Sequence, residues 1–104
     1  MQEVYVNCND MEWTPAPNYP KNTMMKVLRD FDGRKTMLLK IPKGFKMEAH
    51  SHNSVEQHYV LEGQYEIEGT IYGKGTYQLL PAGYEHGPFT SKNGAVVLVI
   101  WDPQ

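Results

Sequence analysis

Between Gly63 and Gly75, Tyr65 and Ile67 alternate with Glu66 and Glu68 before a bend at Gly69, the pattern of a strand with one buried and one wet face. Ala95-Val96-Val97-Leu98-Val99-Ile100-Trp101 is apolar on both faces, which predicts an interior strand. Met24 to Asp30 and Thr36 to Ile41 read as partners of a hairpin, joined through Asp32-Gly33, a pair suited to positive φ. Pro42-Lys43-Gly44 breaks the ladder ahead of a histidine-bearing strand, Val55 to Leu61 forms the next, and Thr76 to Leu80 follows the turn at Gly73-Lys74-Gly75. No apolar 3.6-residue period lasts long enough for a helix. The N-terminal residues 1–23 read as an extended arm: Val4-Tyr5-Val6 is short and β-prone, and three prolines between Trp13 and Pro20 exclude a helix. The fold class is therefore all-β, a sandwich or small barrel.

A chain of 104 residues with 40% apolar content suits one globular domain, 1–104. The formal charge of −2 and dispersed Lys and Arg residues offer no basic stripe, so no nucleic-acid partner is expected. The N-terminus lacks the basic head and apolar body of a signal peptide, and no run approaches the roughly 20 apolar residues that span a bilayer. A cytoplasmic protein without a membrane partner is expected. Cys8 is the only cysteine, so neither an internal disulfide nor a thiolate zinc site can form within one chain. It reads as a bystander more readily than as a reactive thiol.

All four histidines, at 50, 52, 58 and 86, fall in two blocks. In an extended strand His50 and His52 project to the same side and can grip one cation. Glu56 lies far enough on to return a carboxylate from the neighbouring strand, and His86 is a fourth candidate ligand. Imidazole and carboxylate donors without thiolate suit one divalent transition metal, with Fe, Mn, Ni, Co, Cu and Zn undistinguished. Four protein ligands around a six-coordinate ion leave two positions for water, substrate or O2. A lone His or Glu on a strand is more often a solvated surface residue, but converging inside an apolar barrel these groups would be costly without a metal or hydrogen bonds. Glu56 could also stand behind a water. His58, two positions beyond Glu56, should face the same interior roughly 6–7 Å further along. It reads either as a histidine that orients a ligand by hydrogen bonding or as a general acid or base. Tyr77, Phe89, Met37, Met47 and Trp101 are candidate pocket walls, although such side chains are more often plain core.

The spacings are specific. Gly44, five residues, His50, one, His52, three, Glu56, six, Gly63 matches the first signature motif of the cupin superfamily; Gly75, five, Pro81, one, Gly83, two, His86 matches the second. The chain resembles a single-domain cupin, with one departure: the second motif usually ends in Asn where Thr90 stands. Stretches including Trp13-Thr14-Pro15, Ile41-Pro42-Lys43-Gly44, Tyr72-Gly73-Lys74-Gly75 and Glu85-His86-Gly87-Pro88 look like two cupin groups, the cupin module of zinc-containing anti-sigma factors and the small β-diketone-cleaving dioxygenases. The resemblance implies a jelly-roll β-barrel with His50, His52, Glu56 and His86 around one metal.

Two functions follow as expectations. The first is a metal-dependent enzyme, dioxygenase-like or lyase/isomerase-like, acting on a small oxygenated molecule chelated at the metal, with His58 as its catalytic residue. The second is a non-catalytic metal- or ligand-binding sensor, against which the absence of a fused effector within the chain counts mildly. A storage cupin is disfavoured because such relatives commonly lose the ligand set. Small cupins commonly pair through a flat sheet, so a homodimer is expected, with the arm free to cross to a second subunit.

Overall fold

The hairpin expected around Asp32-Gly33 is present in the structure, a computed structural model that describes residues 2–103. Met24–Phe31 (β2) and Arg34–Ile41 (β3) pair antiparallel, and Asp32 and Gly33 take φ of 54° and 77°. Two successive left-handed residues match the twist of the strands they join. Glu68 and Gly69, at φ 48° and 83°, repeat the device where Ser54–Ile67 (β5) turns into Thr70–Gly73 (β6).

The remaining strands are Thr14–Pro15 (β1), Phe45–Met47 (β4), Tyr77–Leu80 (β7), Phe89–Ser91 (β8) and Ala95–Pro103 (β9). They form one curled sheet in the order β1-β2-β3-β9-β5-β8-β4, with β6 and β7 also on β5. The all-β reading holds: among the described residues the only helical element is a 3-10 turn at Cys8–Asp10. β9 lies between β3 and β5, as its uniform apolarity requires. Its Ala95, Val97 and Val99 face a core shared with Met37, Leu39 and Ile41 of β3.

β5 departs from expectation. The segments read as separate strands, Val55 to Leu61 and the Tyr65–Ile67 stretch, are one continuous strand. Its pairing with β9 shifts register between Val60 and Glu62, where Val60 faces Val97 and Glu62 faces Val96. An extra residue in one strand of a pair reverses which side chains point inward. Before the bulge Glu56, His58 and Val60 are buried; after it Tyr65 is, at 2% exposure. The bulge thus puts the Tyr65 phenol on the same side as the His58 imidazole.

Two further expectations need correction. The His50–His52 segment is no regular strand: His50 makes one isolated bridge, to His86, and His52 lies outside any strand. Val4-Tyr5-Val6 pairs with nothing regular and stands exposed. From Cys8 onward the arm is held down, and its first residue lies outside the described residues. Thr14 and Pro15 pair with Met25 and Met24, and buried Lys26 donates from Nζ to the Cys8 carbonyl at 2.7 Å, 4.6 Å from the centre of the Trp13 ring.

Candidate metal centre

Reciprocal backbone bonds tie the two histidine blocks together. His50 N–H donates to the His86 carbonyl at 2.9 Å, His86 N–H donates back at 2.6 Å, and Gly83 N–H donates to the His52 carbonyl at 2.9 Å. These bonds set the rings side by side, with centroids 5.8 Å apart for His50 and His52 and 5.1 Å for His52 and His86. Nδ1 of His50 lies 3.1 Å from the Glu48 carbonyl and Nδ1 of His52 lies 2.9 Å from that of Ser54. A carbonyl only accepts, so each Nδ1 carries a proton, and in its neutral form each ring presents a lone pair at Nε2.

Glu56, 5% exposed, is the hub. One carboxylate oxygen, Oε1, accepts from Trp101 Nε1–H, and the other meets His58 Nε2. Burial pushes the carboxyl up, but the His58 hydrogen bond and charge, the Trp101 N–H and the His52 charge together hold it below the usual carboxylate range. His52 Nε2 lies 3.0 Å from Oε1 without hydrogen-bond alignment and has no hydrogen-bond partner, although the atom is buried.

His58 is buried too and lies between the hub and Tyr65. The Tyr65 hydroxyl donates to Gln78 Oε1 at 2.6 Å, so its oxygen receives His58 Nδ1–H at 3.2 Å. With Nδ1 protonated, the contact from Nε2 to the carboxylate needs a second proton on the His58–Glu56 line. Burial, and then the charge of Glu56, push the Tyr65 phenol well up.

His86 stands apart. Its Nε2–H donates to the Pro81 carbonyl at 3.0 Å, so the nitrogen facing that loop is already used. Burial, with the His52 charge next, pushes this imidazole down against the raising effect of the Pro81 bond. Among the described residues no three His, Cys, Asp or Glu side chains already form a group able to hold one ion.

Two spaces adjoin the cluster. An inner cavity of about 30 Å³ is bounded by His50, Glu56, His58 and the apolar Leu39, Phe89 and Val99. An outer cleft of about 230 Å³ is bounded by His50, His52, Glu56, Met37, Met47 and Trp101. Of the candidate wall residues, Phe89, Met37, Met47 and Trp101 line these spaces, whereas Tyr77 is exposed on the other face and bonds Gln57. Tyr65, Gln78 and Tyr19 escaped sequence reasoning. For Tyr65 the signal was the Gly63 break in alternation; for Tyr19 it was a lone aromatic between prolines.

The family model for the ChrR cupin-like domain matches residues 1–103. The chain belongs to the ChrR cupin-like family. No curated protein matches this cupin. Among solved structures, a putative acetylacetone dioxygenase from Methylibium petroleiphilum PM1 superposes with a TM-score of 0.85 at 18% identity, over 97% of this cupin and 77% of that chain. The polyketide cyclase RemF from Streptomyces resistomycificus gives 0.82 at 20% identity, over 96% and 79%. The anti-sigma factor ChrR, in its complex with Rhodobacter sphaeroides SigE, gives 0.73 at 23% identity, over 92% and 52%. At such identities the likeness shows the cupin fold.

The donor chemistry fits a metal ion. Two donors about 2.1 Å from one ion and at right angles to each other lie about 3.0 Å apart, the separation of His52 Nε2 from Glu56 Oε1. A buried imidazole nitrogen facing a carboxylate with no proton aligned between them is a pair that a cation would satisfy. His50 offers its Nε2 in the same tautomer; His86 would have to release Pro81 to join.

Proposed function

We propose that this cupin holds one divalent transition metal through His50, His52, Glu56 and His86 and is an enzyme acting on a small oxygenated molecule such as a diketone, enol or hydroxy acid, with dioxygenase-type chemistry first. The unpartnered His52 Nε2 beside Glu56 carries this reading. A bound ion would supply Lewis acidity and open coordination positions for two substrate oxygens. Trp101 fixes the carboxylate plane, and the outer cleft limits the substrate to a small molecule. His58 holds a proton at Nε2 against Glu56, oriented by Tyr65, and is the catalytic acid–base candidate.

The test begins with elemental analysis of protein purified without chelator, followed by oxygen uptake with a panel of diketones and enols. Metal at about one ion per chain and turnover with at least one iron-supported substrate are expected; a metal-free protein with no donor-dependent uptake of added metal would sink the reading. His58→Ala should keep metal but lose turnover by about 100-fold or more. Full turnover in that variant would remove His58 from the chemistry.

The family match favours a second reading, a sensor module whose metal or ligand occupancy alters a protein partner. Bound metal with no turnover in iron, manganese, nickel or zinc forms would select it. Under either reading the protein works in the cytoplasm as one domain, without nucleic acid; among the described residues no helix is long and apolar enough to cross a membrane. It acts as a homodimer, because Tyr59, Tyr77 and Leu79 stand exposed side by side on the outer face of β5 and β7. Light scattering should give twice the chain mass at micromolar concentration, and a monomer mass would exclude the dimer.

A further inference from the structure

The inner cavity and the outer cleft share four lining side chains: Tyr19, Met47, His50 and Glu56. Two of these belong to the candidate metal centre, which leaves Tyr19 and Met47 as the other side chains that border both spaces. Tyr19 comes from the loop between β1 and β2, a segment closed on itself by Ala16 N–H to the Thr23 carbonyl at 2.9 Å and Thr23 N–H to that of Pro20 at 3.2 Å. Asn18 and Asn22, at φ 68° and 72°, turn the chain on either side of the tyrosine. Ala16 and Thr23 are buried, and the ring packs against the core. The loop therefore presents Tyr19 from a fixed base.

We propose that Tyr19 is a specificity-determining residue, the removable part of a partition that keeps the inner cavity from joining the cleft and so restricts the site to small ligands. The claim about ligands rests on the proposed metal-chelating function; the partition does not. About 30 Å³ is room for roughly one water molecule, so the bulk of a substrate bound across the metal centre stays in the cleft and only its reacting end can face the cavity that His58 lines. With the ring gone, the cleft extends into a space walled by Leu39, Ile41, Phe45, Phe89, Val97 and Val99. An apolar extension of that kind favours a hydrocarbon or aromatic substituent over water.

Tyr19→Ala opens the partition, Tyr19→Leu opens it partly and guards against a folding defect in the first, and Tyr19→Phe keeps the ring. Xenon binding followed by NMR on the proteins as purified tests the partition directly. Wild type and Tyr19→Phe should show no saturable internal site, and Tyr19→Ala should gain one. If neither Tyr19→Ala nor Tyr19→Leu, each folded as judged by thermal unfolding, gains a xenon site, the partition is refuted. The second arm titrates metal-loaded proteins with pentane-2,4-dione and 1-phenylbutane-1,3-dione. Tyr19→Ala should shift the affinity ratio toward the phenyl compound by about 10-fold or more, with Tyr19→Phe unchanged. An unaltered ratio overturns the specificity role. Failure of wild type to bind either diketone refutes the chelation reading instead, while the xenon result still decides the partition.

Discussion

His52→Ala should leave the protein folded and nearly free of metal. Loss of an outer hydrogen-bonding residue around a bound ion costs roughly 10- to 100-fold in affinity, and loss of a ligand should exceed that range. The companion expectation is the sharper one. His52 Nε2 is buried without a hydrogen-bond partner, so removing the ring discards a desolvated group worth about 1–3 kcal/mol of penalty. Its lost packing sets against this, and the metal-free variant should melt within a few degrees of the metal-free wild type. A histidine kept for structure would behave in the opposite way, with a lowered melting temperature and unchanged metal content. Elemental analysis and thermal unfolding of the same preparations separate the two outcomes. His50→Ala should behave alike, since its Nδ1 bond to the Glu48 carbonyl is local and exposed.

Much of the scaffold was legible because it depends on local chemistry. Asp32-Gly33 specifies its turn wherever it occurs between strands, and the uniform apolarity of Ala95 to Trp101 requires neighbours on both sides. The proximity of the two histidine blocks was legible from motif spacing. The features that were not legible depend on the partner strand. Whether Val55 to Ile67 is two strands or one bulged strand is decided by its pairing with β9, which lies over 30 residues on. The histidine segment was expected as a strand, yet only His50 makes a bridge, to His86, and His52 is held by a single backbone bond from Gly83 N–H in place of a full ladder. The role of Trp101 is likewise a tertiary fact. An indole at the end of an apolar strand reads as core, and only the fold shows its N–H aimed at Glu56.

Gly63→Ala should be the most damaging small substitution in the chain. Gly63 follows the β5 bulge at φ +72°, and a Cβ there would lie 2.2 Å from the Gly94 carbonyl oxygen and 2.8 Å from Ala95 Cα. Both obstacles are backbone, so no side-chain rotation relieves them. The left-handed conformation alone costs about 1–2 kcal/mol for a residue with a side chain, and displacement of the Gly94–Ala95 backbone should bring the total to about 4 kcal/mol or more. Gly44 provides the internal comparison: its φ is +75°, but a Cβ would meet nothing within 4 Å. Gly44→Ala should therefore cost only the conformational term. Denaturant unfolding of the two metal-free variants against wild type measures the difference, and equal costs would mean that the close approach of the strands does not constrain Gly63. The consequence reaches the site, because the bulge is what turns Tyr65 inward toward His58 Nδ1. Any Gly63→Ala protein that still folds must shift β5 against β9, and should lose the Tyr65–His58 hydrogen bond before it loses the Trp101 anchor of Glu56, which lies on the other side of the bulge.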